Sequence, residues 1–213
     1  MPAESLLVAM TLFFRFFILF WCGKSIYGTI SLKQTINEKA SNHKSTDNRE
    51  DTMIKPAFLI VDMQKNCKAG TSCKAAFEKA VEYINEISQH FRAKKLPVVI
   101  IQDCEDGGPE TEGFACVDEL VVSDQDYRVM KSFCNSFWQT DLDEFLKKEG
   151  VDCVIISGFA AEYCVLFTYN GAVERGYQTF LLQNGIAGFS EEEIKRIQQL
   201  RPVISYNAVE YFI

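Results

Sequence analysis

Histidine is scarce in this chain of 213 residues, which contains only His43 and His90. Zinc sites in proteins are usually built from several histidine and cysteine side chains at short, regular spacings. The two histidines do not form such a motif, and Cys67 and Cys73, the closest cysteine pair, do not have the CxxC spacing. The sequence therefore indicates no metal site of the usual zinc-binding kind.

Basic residues are also in short supply, because 22 Lys and Arg face 29 Asp and Glu, and the formal net charge is -7. A nucleic-acid-binding surface needs clustered basic side chains to displace counterions from the phosphates. The glycine-rich motifs GxGxxG and GxxxxGK[ST] are absent too, which excludes the usual dinucleotide and phosphate-binding loops. We therefore predict a small-molecule partner, no nucleic-acid partner and no cofactor.

Cysteine, in contrast, is well represented, with eight irregularly spaced residues. A domain of this length buries enough apolar surface to be stable without disulfides, and disulfides are rare in reducing compartments. We therefore predict free thiols and a cytoplasmic catalytic domain. A disulfide between Cys67 and Cys73 is the less favoured alternative.

Hydrophobic residues dominate the N-terminal segment, residues 1–23. Its apolar run from Leu6 to Cys22 is interrupted only by Thr11 and Arg15, and its length is at the lower limit for a membrane-spanning helix. Residues 24–54 are predicted to be a polar linker, because they contain too few apolar residues to fold alone. Two interpretations stay open: residues 6–22 associate with a membrane as an anchor, or the upstream segment is untranslated and the chain starts at Met53.

Residues 55–213 are predicted to form one domain in which apolar strands alternate with helices. Helices are indicated by an apolar stripe between Phe77 and Phe91, by starts near Thr140 and Glu162, and by a capping box that begins at Ser190. Four buried strands are predicted at Ala57 to Val61, Pro97 to Ile101, Cys153 to Ser157 and Gln178 to Leu182. The predicted fold class is α/β, a three-layer α/β/α, Rossmann-like architecture with a mainly parallel sheet of about six strands.

Three reactive side chains follow predicted strand segments. Asp62 comes directly after FLIV, Lys131 ends the segment YRVMK, and Cys164 follows the segment CVIISGFAAEY. Because ligands bind outside the carboxyl ends of the strands in such sheets, we expect these residues to meet at one rim.

The segments around these residues carry a family resemblance: IVDMQ, VMKSFCNSFWQTDL and ISGFAAEYCVLFTYNGAVERGY. In order, spacing and residue type they resemble the isochorismatase-like cysteine hydrolases, which include nicotinamidases, N-carbamoylsarcosine amidases and ureidoacrylate hydrolases. The resemblance extends from about Ala57 to Gly188. It implies cleavage of a carbon–nitrogen bond in a small amide, ureide or carbamoyl compound through a thioester-type acyl-enzyme, and it implies a homo-oligomer.

The resemblance also implies the roles of the site residues. Cys164 would be the nucleophile, Asp62 its acid/base partner, and Lys131 the cation beside them. The amides of Ala160 and Cys164 would form an oxyanion hole next to a cis Phe159–Ala160 bond. Since a thiol reacts as its thiolate, we expect Lys131 and the helix terminus to lower the pKa of Cys164.

One departure from the family concerns the metal. Metal-bearing nicotinamidases hold their ion through an aspartate and several histidines; Asp103 matches the aspartate, but Glu105 stands where a histidine is expected. We therefore expect a metal-free site and a substrate other than nicotinamide, with binding of a hard ion by Asp103 and Glu105 as the alternative. The side chains expected to contact the substrate are Gln64, Phe137, Trp138, Phe159 and Tyr163.

Three other functions stay open at this point. The first is isochorismatase-type ether hydrolysis, and the second is a catalytically silent, membrane-tethered binding protein of the same fold. The third is a redox-responsive thiol protein that uses Cys164 together with Cys67. Retention of all three reactive groups favours the hydrolase.

Overall fold

The computed structural model describes residues 54–105 and 107–213. Its six strands are β1 Pro56–Val61, β2 Val98–Asp103, β3 Tyr127–Lys131, β4 Cys153–Gly158, β5 Gln178–Ile186 and β6 Val203–Ile204. They form one sheet in the order β3-β2-β1-β4-β5-β6, and every neighbouring pair is parallel.

Helices cover both faces of this sheet. They are α1 Lys65–Gly70, α2 Lys74–Ala93, α3 Leu142–Lys148, α4 Leu166–Glu174, α5 Glu191–Leu200 and α6 Tyr206–Phe212. Residues of α2 and α6 belong to the apolar core on one face, and residues of α3, α4 and α5 to the core on the other. The predicted three-layer α/β/α fold with a parallel sheet of six strands is confirmed.

Strand β1 shows why the sheet is covered on both sides, because all six of its residues are buried. Phe58 faces helix α2, where its ring centroid lies 5.5 Å from that of Phe91. Leu59, the next residue, belongs to the core on the opposite face. Full burial of one such side chain contributes about 1.5–3 kcal/mol, so both layers of helices are held firmly.

The register of the strands brings four carboxyl ends to one rim. Val61 pairs with Ile101 in β2 and with Gly158 in β4. Asp103 at the end of β2 pairs with Lys131 at the end of β3. The strand order changes direction between β1 and β4, which is where ligands bind in doubly wound sheets.

Two predicted helix boundaries agree with the local geometry. Ser190 is the N-cap of α5, and its hydroxyl accepts a hydrogen bond from the Glu193 N–H at 3.2 Å, which is one half of the predicted capping box; the Glu193 carboxylate accepts hydrogen bonds from Arg196. Gly176 follows the end of α4 with a φ of 89°, as expected for the left-handed residue after a helix. Elements α1, β6 and α6, which have 6, 2 and 7 residues, are not among those predicted from the sequence; short elements give little periodic signal.

The predicted N-terminal segment (1–23) and all but the last residue of the predicted linker (24–54) lie outside the described residues. The choice between a membrane anchor and a misassigned start lies there as well. Among the helices of the described ranges, none combines the length and the apolar character that crossing a bilayer requires.

Candidate active site

Asp62 directly follows β1 and lies at the centre of the rim. Its amide N–H donates a hydrogen bond to the Ile101 carbonyl at 2.9 Å, and its φ of 48° lies in the left-handed region, which aspartate tolerates better than most residues. The carboxylate is almost completely buried, and its Oδ2 lies 2.8 Å from the Lys131 ammonium. Its Oδ1 is buried without a hydrogen-bond partner among the described residues.

Lys131 ends β3, and its side chain is completely buried. The ammonium contacts three groups: the carboxylates of Asp62 and Asp103, and the Sγ of Cys164 at 3.4 Å. A buried lysine needs such partners, because removing a charge from water costs several kcal/mol. The contacts therefore place a permanent cation between the Cys164 thiol and two acids.

Gly158 ends β4 and lies beside Val61 of β1. A Cβ atom at this position would lie 1.9 Å from the carbonyl oxygen of Val61, and the φ of 111° is one that side chains rarely adopt. The next residue, Phe159, donates its N–H to the same Val61 carbonyl at 2.9 Å. This contact fixes the loop that leads to Cys164 relative to Asp62, the residue after Val61.

Cys164 lies in a π-helical turn, Ala161–Val165, which precedes α4. The Val165 N–H donates to the Ala160 carbonyl at 3.1 Å, the i to i−5 spacing of such a turn. The Phe159–Ala160 peptide bond is cis. The Ala160 N–H donates to no backbone carbonyl within the described chain, so this amide is available in the segment that carries the thiol.

The buried environment changes the ionisation of all three side chains. Burial raises the pKa of Asp62 to about 6, against the opposing effect of Lys131. Burial alone would lower the pKa of Lys131, but the neighbouring acidic groups raise it above its usual value, so the ammonium stays charged. Burial and the Asp62 carboxylate raise the pKa of the Cys164 thiol well above its usual range, by more than Lys131 lowers it.

The prediction of a lowered Cys164 pKa is therefore wrong in direction. It took account of the cation and the helix terminus but not of desolvation, which is the largest cause of the shift. The thiol of Cys164 is protonated at neutral pH and needs a proton acceptor before it can react. Asp62 is the acidic side chain placed to accept that proton.

Asp103 is a fourth member of the cluster, and its contact with Lys131 was not predicted. Its carboxylate contacts the Lys131 ammonium, and its side chain is 18% exposed, whereas those of Lys131 and Asp62 are 0% and 3% exposed. Its Oδ1 also accepts a hydrogen bond from the Glu105 N–H at 2.7 Å. The sequence marks Asp103 by its position at the end of β2 and by its match to the family's metal-binding aspartate, but the contact with Lys131 depends on the register with β3.

The cluster does not fit the metal site of the metal-bearing nicotinamidases. One potential ligand atom from each of Asp62, Asp103 and Cys164 lies within 4.8 Å of the other two. The Lys131 ammonium contacts all three groups, so it would repel a divalent ion placed among them. His90, the histidine of the described residues, lies on α2 and contacts α6 instead.

Gln64, predicted to contact a substrate, is fully buried. Its side-chain amide donates to the carbonyls of Asp103 at 3.1 Å and Phe114 at 3.0 Å, and its Oε1 accepts a hydrogen bond from the Asp103 N–H at 2.8 Å. These bonds hold the end of β2 and thereby position the Asp103 carboxylate. Contact with a substrate stays a prediction for Gln64.

The four predicted aromatic residues are divided between the core and the surface. Phe137 and Phe159 are buried, the latter with its ring centroid 4.9 Å from that of Phe189. Trp138 and Tyr163 are 54% and 53% exposed. Their contact with a substrate also stays a prediction, and the exposed pair is the better placed to reach one.

The seven cysteines of the described residues are all free thiols, Cys67 and Cys73 among them. Burial raises the pKa of Cys67 to about 12, and that of Cys153 also to about 12. Of the described cysteines, Cys164 is the one whose sulfur contacts the Lys131 ammonium. That contact distinguishes it from the other thiols.

Known proteins share this fold and sequence pattern. The family model for the isochorismatase domain matches residues 56–205. The chain is 31% identical over 140 residues to YrdC, an uncharacterized isochorismatase family protein of Bacillus subtilis. The aligned region covers 63% of this chain and 75% of YrdC.

Solved structures show the same similarity. An isochorismatase-like hydrolase from Alkaliphilus metalliredigens has a TM-score of 0.67 at 25% identity, covering 74% of this chain and 97% of its own. N-carbamoylsarcosine amidase from Thermoplasma acidophilum has a TM-score of 0.63 at 25% identity, covering 72% of this chain and 98% of its own. Because the family model covers more than half of the sequence, the chain belongs to the isochorismatase family of hydrolases.

Proposed function

We propose that the chain hydrolyses a carbon–nitrogen bond of a small amide, ureide or carbamoyl compound, with Cys164 as the nucleophile. The observation that carries this proposal is the buried Oδ1 of Asp62, which has no hydrogen-bond partner among the described residues. A carboxylate oxygen of Asp62 lies within 4.8 Å of the Cys164 sulfur. A protonated thiol beside an unused acceptor is the arrangement that general-base activation requires.

In the first step, Asp62 accepts the thiol proton while the sulfur of Cys164 forms a bond to the substrate carbonyl carbon. The carbonyl oxygen takes up the electron pair of the broken π bond and becomes an oxyanion. The amides of Ala160 and Cys164 donate hydrogen bonds to that oxyanion. Lys131 stays charged throughout and stabilises the negative charge that passes between the sulfur and Asp62.

In the second step, the oxyanion re-forms the carbonyl and the carbon–nitrogen bond breaks. The proton held by Asp62 goes to the departing nitrogen, so the leaving group is neutral ammonia or an amine. The product on the enzyme is a thioester at Cys164. Water then attacks the thioester carbonyl, gives one proton to Asp62, and the thiolate leaves and recovers that proton.

Ammonia release from a panel of small primary amides, ureides and carbamoyl compounds tests this proposal. We expect release by the wild-type protein and by Cys153→Ala, which changes a buried thiol away from the site. Cys164→Ala should lose at least about 10³-fold, because it removes the covalent route. Equal release by wild type and Cys164→Ala, or no release from any of the three classes, would contradict the proposal.

A further inference from the structure

The mechanism above uses Asp62, Lys131 and Cys164, and it leaves Asp103 without a role. Asp103 and Asp62 both bind the single ammonium of Lys131. One cation cannot neutralise two carboxylates, so the cluster has an excess negative charge even when the thiol is protonated. One carboxylate would be enough to hold the Lys131 ammonium in place, so the second needs another explanation.

The exposure of the side chains shows which of the two acids is open to solvent. Lys131 and Asp62 are buried, whereas the Asp103 side chain is 18% exposed. A carboxylate oxygen of Asp103 lies within 4.8 Å of the Cys164 sulfur. At this distance a group attached to a carbonyl carbon that bonds to the sulfur can reach Asp103 with a hydrogen bond.

The position of the Asp103 carboxylate is fixed by hydrogen bonds. The Gln64 side chain bonds to both the N–H and the carbonyl of Asp103, and the Glu105 N–H donates to Asp103 Oδ1. Within the described chain, Lys131 is the cation that contacts the nucleophile, and both of its carboxylate partners already hold it. The site thus presents a fixed acceptor and no unengaged cation next to the thiol.

Resting on the proposed function, we propose that Asp103 selects substrates by charge. Its carboxylate accepts a hydrogen bond from an N–H attached to the scissile carbonyl carbon, and it repels a carboxylate carried near that carbon. The substrate class is therefore neutral or cationic amides, ureas and carbamoyl compounds. Compounds with a carboxylate next to the scissile bond are excluded.

Alkylation of Cys164 tests this selection without knowledge of the substrate. Iodoacetamide and iodoacetate have nearly the same size and react with the same thiolate, but only iodoacetate is an anion. The ratio of their rate constants at Cys164, measured by peptide mapping, is therefore independent of the thiolate fraction. Dividing it by the same ratio for the neutral thiol N-acetylcysteinamide leaves the effect of the protein.

For the wild-type protein we expect a normalised preference for iodoacetamide of at least about tenfold, from the repulsion of like charges roughly 5 Å apart. Asp103→Asn, which keeps the size of the side chain, should reduce the preference at least about fivefold. Glu105→Gln removes a neighbouring charge that does not contact Lys131, and it should change the preference less than about twofold. The cationic reagent (2-bromoethyl)trimethylammonium should show the opposite preference in the wild type.

A normalised preference near one in the wild type would overturn the proposal, and so would an unchanged preference in Asp103→Asn. If Asp103→Asn does not fold, the normalised preference for iodoacetamide is measured in Asp103→Ser and compared with that of the wild type. Because alkylation requires no turnover, this result is separate from the ammonia assay that tests the proposed function. A protein that releases ammonia but shows no charge preference refutes the role of Asp103 alone.

Discussion

Asp62→Asn is expected to change the form of the pH dependence of Cys164 alkylation. In the wild type the thiol and Asp62 share one proton between the pKa of Asp62, about 6, and the much higher pKa of the thiol. Throughout that range a constant fraction of molecules has the proton on Asp62 and the thiolate free to react. The rate of alkylation by iodoacetamide should therefore be level above pH 6.

Below pH 6 the pair gains a second proton, and the reactive form is lost. For a single apparent pKa of about 6, the rate should be about tenfold below its plateau at pH 5 and about 100-fold below it at pH 4. An ordinary aspartate, with a pKa of about 3.9, would keep the plateau down to about pH 4. The two-unit difference is the measurable effect of burying Asp62.

Asp62→Asn removes the proton acceptor, so the thiolate forms only by loss of a proton to water. Its alkylation rate should rise about tenfold per pH unit from pH 6 to 9, with no plateau. The measurement is stopped-time labelling followed by peptide mapping of Cys164. Asp124→Asn, a change at an exposed acid, is the matched control and should keep the wild-type profile. Two results would refute the reasoning. One is a wild-type rate that begins to decrease only near pH 4, and the other is an Asp62→Asn profile that keeps the wild-type plateau and decrease.

Three further changes have distinct expected results. Lys131→Met should shift the low-pH decrease of the alkylation rate upward by about one pH unit or more, because losing the ammonium raises the pKa of Asp62 further; a decrease at the wild-type pH would contradict this. Gly158→Ala should lower the free energy of unfolding in urea by at least about 3 kcal/mol, because its Cβ would overlap the backbone of β1. The control Gly176→Ala has a positive φ but open space around it, so a loss of only about 1 kcal/mol is expected. Gln64→Leu should cost about 1–3 kcal/mol in the same experiment, because the Asp103 N–H loses its side-chain acceptor and the Asp103 carbonyl a donor, while the Phe114 carbonyl keeps the donor from Gln102; a stability equal to that of the wild type would count against the supporting position of this amide.

The meeting of Asp62, Lys131 and Cys164 could be predicted from the sequence because parallel strands bring their carboxyl ends to one edge. The three residues lie on or after three different strands, and the order of those strands along the chain was sufficient. The contact between Asp103 and Lys131 could not be predicted in the same way. It depends on the register of β2 with β3 and on the directions of the Asp103 and Lys131 side chains.

The raised pKa of Cys164 could not be predicted from the sequence for a related reason. Attraction to Lys131 and to a helix terminus can be expected from residue order, but the desolvation of the thiol depends on the packing around it. The π-helical turn that carries the thiol is likewise invisible in the pattern, since a π turn and the first turn of an α-helix use similar residues. Both the desolvation of the thiol and the π-helical turn depend on how the loop after Gly158 packs in the folded chain.

The close backbone contact between Gly158 and Val61 also bears on how such a protein can evolve. It ties Asp62 and the loop that carries Cys164 to the two central strands, whose ends touch. The connections that follow β2 and β3 start from strands on one side of this pair, so insertions or deletions in those connections leave the contact between Gly158 and Val61 in place. Under the proposed function, substrate preference can therefore diverge among descendants of this chain while Asp62 and Cys164 keep their positions relative to each other.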